Sequence, residues 1–189
     1  MDFREKAYEL SEEDIKRYYE ETASLHLIRH SDLNDACFQR ILKDVVGSSV
    51  LDVGCGRGQL LYHLSQKWDA TGCDVYASEF VREKNLRFVE AFTHRLPFPD
   101  RSFDTVVCTH VLEHVPLWHS SVAELKRVCR KKLIVVLPRE RPYRFGFNLH
   151  LHFFPYQFMV VNALRQTERL GTYQCTLLEG DWYYTECFD

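Results

Sequence analysis

The sequence predicts an α/β fold: a seven-stranded, mostly parallel sheet with helices on both faces and a C-terminal antiparallel hairpin. Three observations predict it. Short apolar runs rich in β-formers alternate with stretches of helical periodicity through the middle of the chain, the pattern of parallel strands joined by crossover helices. A glycine-rich turn, LDVGCGRG at 51–58, stands between the first of these runs and the next helix. Two further runs near the end flank Glu179-Gly180-Asp181, a connection short enough for a hairpin.

The elements follow in order. Ser11-Glu12-Glu13-Asp14 has capping-box form, and Ile15, Tyr18, Tyr19 and Thr22 continue it at helical spacing. Leu33, Cys37, Ile41 and Val45 recur every fourth residue after the capping pair Ser31-Asp32, which predicts a second helix ending before Gly47. Strands are expected at 49–53, 70–74, 86–90, 103–108 and 133–137. Between them Leu60, Leu61, Leu64 and Trp68 form one apolar helix face, and Val122, Leu125, Val128 and Cys129 another. The last two strands are expected at 173–178 and 182–188. At 189 residues one domain suffices, large enough to bury roughly 70% of its unfolded surface. Within it, 1–47 reads as a helical cap, 48–137 as the core, 138–157 as a lid and 158–189 as a last helix with the hairpin.

The formal net charge of −3 and the pI near 6.3 create no field that draws the whole molecule to nucleic acid or to an anionic membrane, so neither partner is expected. The first 14 residues are dense in charge and no long apolar run follows, which predicts a cytoplasmic protein. The seven cysteines never approach C-x-x-C spacing, so reduced thiols packed as small hydrophobes are expected, rather than a zinc knuckle or a redox pair.

In LDVGCGRG the glycines allow close backbone approach to a ligand, and the following helix should offer free N–H groups. A dinucleotide fingerprint requires G-x-G-x-x-G, but Gly54, Gly56 and Gly58 give G-x-G-x-G, with Gln59 in the sixth place. Asp74 ends the second strand about 20 residues on, where an α/β fold stations an acid for ribose hydroxyls. The ordered set LDVGCGRG, GCDV (72–75), LPFPDRSFDTVV (96–107) and VLEHV (111–115) resembles the class I S-adenosylmethionine-dependent methyltransferases, in their small-molecule branch.

That resemblance implies a Rossmann-like core and S-adenosylmethionine as cofactor. It implies that Asp52, Gly54, Cys55 and Gly56 line the methionine end, and that Asp74, followed by Val75, holds the ribose. It puts Thr109 and His110 against the methionyl group and Tyr18 or Tyr19 over it. The chain departs from the family pattern at Phe92, where an acid usually meets the adenine amine. Phe92 and the Thr93 backbone are the expected adenine partners instead.

Methyl transfer from a sulfonium is an in-line displacement, in which alignment alone can supply roughly 7–11 kcal/mol. Where the nucleophile must lose a proton, His110, His114, His150 and His152 are the groups suited to neutral pH, with His110 and His114 the candidate catalytic pair. His110-Val-Leu-Glu113-His114 also fits H-x-x-E-H, a zinc pattern that needs a helix. Here it follows a strand and precedes Pro116, so no metal is expected. Lys126, Arg127, Arg130, Lys131 and Lys132 lie before the fifth strand and read as a solvated helix end. Arg139, Arg141 and Arg144 lie after it, on the side where open α/β sheets bind ligands, and with His150 and His152 they are the candidate acceptor residues. The implied function is methyl transfer to a small, anionic acceptor. RNA or protein modification, or a cofactor-binding inactive partner subunit, are the alternatives.

Overall fold

The computed structural model describes residues 6–23, 33–142 and 149–189. Helix α1 spans Glu12–Ala23 and α2 Asp35–Asp44, and β1 (Ser49–Val53), α3 (Gln59–Ser65) and β2 (Asp69–Asp74) follow. Next come α4 (Glu79–Glu83), β3 (Phe88–Glu90), β4 (Phe103–Thr109), a 3-10 turn (Leu112–His114) and α5 (Trp118–Val128). The chain closes with β5 (Cys129–Pro138), α6 (Gln157–Leu164), β6 (Thr172–Leu178) and β7 (Asp181–Cys187). Ser11 and Asp14 cap α1 reciprocally: the Asp14 N–H donates to Ser11 Oγ at 3.1 Å and the Ser11 N–H to Asp14 Oδ2 at 3.2 Å.

The seven strands form one sheet in the order β3-β2-β1-β4-β5-β7-β6. Pairing is parallel from β3 to β5, whereas β7 runs antiparallel to both its neighbours. From β1 the chain winds outward through β2 and β3; from β4 it winds the other way. Between β1 and β4 this reversal opens a crevice at the carboxyl edge of the sheet.

Period-two side-chain alternation makes two cores. Leu51, Val53, Val106, Cys108, Leu133, Val135 and Leu137 face Val122, Leu125 and Val128 of α5 and Val160 and Leu164 of α6. On the opposite side Val50, Val107, Ile134 and Val136 pack with Cys37 and Ile41 of α2, Leu60, Leu61 and Leu64 of α3, and Val81 of α4. All seven cysteines are unpaired and six are buried. No helix among the described residues is long and apolar enough to cross a membrane.

Several local expectations are corrected. Helix α2 is capped by Asn34, whose side chain accepts the Cys37 N–H at 2.8 Å; Ser31 and Asp32 lie outside the described residues. Strand β3 begins at Phe88 rather than 86, and Trp68 follows the end of α3. Strand β5 begins at Cys129, so Arg130, Lys131 and Lys132 belong to a strand and not to a helix end. Acids meet them there: Arg130 and Lys131 pair with Asp104 at 3.2 and 3.1 Å, and Lys132 with Asp44 at 3.7 Å. Nor is Lys126 solvated. It is 1% exposed and pairs with the fully buried Glu186 at 2.8 Å.

Candidate active site

At the carboxyl end of β1 the three glycines of the turn do different work. Each has positive φ, 73° at Gly54, 51° at Gly56 and 85° at Gly58. A Cβ on Gly54 would stand 2.1 Å from Val111 Cγ2, and one on Gly58 would stand 2.5 Å from Val81 Cγ2. On Gly56 it would meet nothing within 4 Å. Gly54 and Gly58 therefore serve packing, and Gly56 opens onto space that a ligand can approach. The N–H groups of the turn itself are engaged. Gly54 and Cys55 donate to the Cys73 carbonyl, Gly58 to the Cys55 carbonyl, and Gly56 to Asp74 Oδ2 at 2.7 Å.

Two acids face this turn. Asp52 is 1% exposed, and among the described residues its Oδ2 has no hydrogen-bond partner. Burial, reinforced by the charge of Asp74, pushes its carboxyl up to about 7. Asp74 ends β2 and also accepts the Val75 N–H at 2.7 Å. Burial raises its carboxyl while the Gly56 and Val75 N–H groups hold it down. Cys55 is buried beside them, its thiol pushed well up by that burial and then by Asp52 and Asp74.

Helix α1 lies against the same edge. Lys16 pairs with Glu90, and Glu12 meets His94 at 2.9 Å and Arg95 at 2.8 Å. The Tyr19 hydroxyl is raised by burial and then by the charges of Asp74 and Glu113. Tyr18 meets it edge-on, centroids 6.2 Å apart. Beyond β3, Phe92 lies 5.7 Å from the His94 ring, and the Thr93 hydroxyl is engaged with Ser121 at 2.8 Å.

Thr109 ends β4, and His110 follows with φ 52° and its N–H on the Val136 carbonyl at 3.0 Å. Its ring lies between two carboxylates, Nε2 3.1 Å from Asp181 and Nδ1 3.4 Å from Glu113. Burial lowers its pKa, but the hydrogen bond to Asp181 and the negative charges of Glu113 and Asp181 prevail and push it up to about 10. A histidine held as a cation is a poor general base at neutral pH. Burial lowers His114 instead, keeping it neutral; its Nδ1 meets the Leu149 carbonyl at 3.2 Å.

The remaining candidates divide. His150 Nδ1 lies 2.7 Å from Glu140, and its ring centroid 4.7 Å from that of His114. His152 instead reaches the Val115 carbonyl at 3.0 Å and packs on Trp118. Arg139 and Arg141 are exposed after β5, with the Arg139 guanidinium 6.0 Å from the Trp182 ring. Arg144 lies outside the described residues, as do Phe145 and Phe147 of the expected lid. Sequence reasoning missed Asp181, Glu140 and the partnership of Glu113. Asp181 starts the hairpin's second strand, and only the pairing of β7 with β5 carries it back to His110.

Comparison with known proteins finds relatives of the sequence and of the fold. Residues 51–137 match the family model described as a methyltransferase domain. Phosphatidylethanolamine N-methyltransferase of Cereibacter sphaeroides is 39% identical over 103 residues, covering 48% of this chain and 50% of that protein. Demethylmenaquinone methyltransferase of Geobacillus kaustophilus is 29% identical over 178 residues, covering 81% of this chain and 74% of the relative. The chain thus spans half the length of the first of these. A SAM-dependent methyltransferase structure from Aquifex aeolicus superposes with a TM-score of 0.67 at 20% identity, over 89% of this chain and 97% of that one. The segment 51–137 is thus similar to a methyltransferase domain, carried on a fold shared with the structure of a SAM-dependent methyltransferase.

Proposed function

We propose that the chain is a cytoplasmic enzyme that transfers the methyl group of S-adenosylmethionine to a small, anionic acceptor. The observation that carries the reading is the buried Asp52 carboxylate, whose Oδ2 has no partner among the described residues, beside the open face of Gly56. A buried acceptor with no donor is costly, and an ammonium group of the cofactor's methionyl end would satisfy it. Asp74 retains lone pairs beyond its two backbone bonds for ribose hydroxyls. Phe92 offers an apolar wall to the adenine. Tyr19 covers the crevice from α1, with Tyr18 beside it.

When bound, the cofactor supplies a methyl group already activated by its sulfonium. The residues of this chain contribute alignment and exclusion of water. His110, held charged between Asp181 and Glu113, fixes the wall after β4 and does not act as a base. Of the candidate pair, His114 is the one that burial keeps neutral. Seven unpaired thiols suit a reducing compartment.

Arg139 and Arg141 follow β5 on the ligand side of the sheet and are the proposed contacts for an anionic acceptor. The test is methyl release from S-adenosylmethionine over a panel of small carboxylates and phosphates, neutral hydroxyl compounds, and tRNA. The reading expects a small anion to be methylated. It also expects Arg139→Ala or Arg141→Ala to raise KM about tenfold to a hundredfold with cofactor affinity unchanged. Turnover of tRNA or of neutral compounds only, or normal KM in both variants, contradicts it.

A further inference from the structure

Glu113 is fully buried, yet among the described residues neither of its carboxylate oxygens has a hydrogen-bond partner. A buried carboxylate without donors is strongly disfavoured unless a cation compensates it. His110 approaches one oxygen only at 3.4 Å and is shared with Asp181. Two further imidazoles converge on the same spot. Glu113, His114 and His150 each present one ligand-type atom, and the three atoms lie within 4.8 Å of one another. The pair of His114 Nε2 and Glu113 Oε1 is 3.9 Å apart.

The second nitrogens of both rings are held as metal-binding histidines usually are. His114 Nδ1 donates to the Leu149 carbonyl at 3.2 Å, and His150 Nδ1 to the Glu140 carboxylate at 2.7 Å. Each bond fixes the tautomer that puts the lone pair on Nε2, and the carboxylate behind His150 makes that ring a better donor. The loop carrying His150 is pinned to the turn carrying Glu113. The N–H groups of Leu151 and His152 both donate to the Glu113 carbonyl, at 2.7 and 3.1 Å.

We propose that Glu113, His114 and His150 form a binding site for a divalent first-row transition-metal ion. Two imidazoles and one carboxylate suit Zn²⁺ or Fe²⁺ and leave coordination positions open. Ligand atoms around a tetrahedral zinc stand about 3.3 Å apart, so small side-chain rotations close the set. Residue spacing hides this site. The H-x-x-E-H pattern points to His110 as partner, whereas the structure pairs His110 with Asp181 and brings His150 from a distant loop.

The experiment is titration of the full chain, stripped with chelator and dialysed, with Co²⁺, followed by visible absorption and by bound metal per chain. Cofactor affinity is measured separately, so that failure of the methyl-transfer reading and failure of this one are distinguishable. One equivalent of Co²⁺ should bind with tetrahedral-type absorption and be displaced by Zn²⁺. His114→Ala and His150→Ala should each abolish the absorption, and circular dichroism checks that both fold. Glu140→Gln should weaken binding about 10- to 100-fold by releasing His150, whereas His119→Ala, at an exposed histidine, should leave it unchanged. Absence of stoichiometric binding, or binding that survives both histidine substitutions, overturns the proposal.

Discussion

At the scale of single residues, the three glycines of the turn separate stability from binding. Gly54→Ala and Gly58→Ala each set a methyl group against Val111 or Val81 at less than contact distance, in a left-handed backbone. Each should lower unfolding free energy by more than the roughly 1–2 kcal/mol of left-handed strain alone. Gly56→Ala meets no neighbour, so it should cost no more than that strain while weakening S-adenosylmethionine binding. Urea unfolding and calorimetry on the three variants check this. Asp52 gives a second test, with a definite sign. Its carboxyl is raised from 3.8 to about 7, so the ligand-free protein retains a proton that the unfolded chain has released. The associated stability is present in full below about 4 and lost as pH rises through about 7. Asp52→Asn should therefore stabilise the ligand-free protein at pH 8, by up to about 4 kcal/mol, and flatten the dependence between pH 4 and 7. Parallel unfolding curves for the two proteins across that range contradict the assignment.

At the scale of elements, burial rather than charge count decides which ion pairs matter. Glu186 on β7 accepts from Lys126 of α5 at 2.8 Å, Arg165 at 3.0 Å, the Tyr184 hydroxyl at 2.9 Å and the Gly171 N–H at 2.7 Å. This network ties α5, α6 and the hairpin together with every carboxylate lone pair in use. Lys126→Ala leaves Glu186 buried without its nearest cation and should cost about 3–5 kcal/mol. Arg130→Ala removes a half-exposed partner of Asp104 and should cost about 1 kcal/mol or less. Equal losses in chemical denaturation would refute the distinction. These elements also show where sequence reading succeeds. Strands β1 and β4 are β-rich runs buried on both faces as parallel strands are, and their expected limits hold to within one residue. The start of β5 was hidden because Arg130-Lys131-Lys132 resembles a helix end, whereas pairing with β4 and β7 makes it a strand and Asp104 and Asp44 meet its charges. Asn34 was likewise obscured by Ser31-Asp32, the commoner capping pair just upstream.

At the scale of the whole molecule, the strand order does what no local pattern reveals. It brings the ends of β1, β2 and β4 beside the start of β7, so that Asp52, Asp74, Glu113 and Asp181 surround one crevice. The candidate cofactor residues were legible because they lie in short motifs at strand ends. The partner of His110 was not, since Asp181 arrives from far along the chain through the pairing of β7 with β5. The central claim is that this crevice binds S-adenosylmethionine. Isothermal titration of the intact chain with S-adenosylmethionine, S-adenosylhomocysteine and NAD tests it most directly. The account predicts one site for each of the first two and none for NAD. It also predicts that Asp74→Ala, with its fold retained, loses about 1.5–3 kcal/mol of binding free energy. Measurable NAD affinity with no S-adenosylmethionine binding, or unchanged affinity in Asp74→Ala, would contradict it.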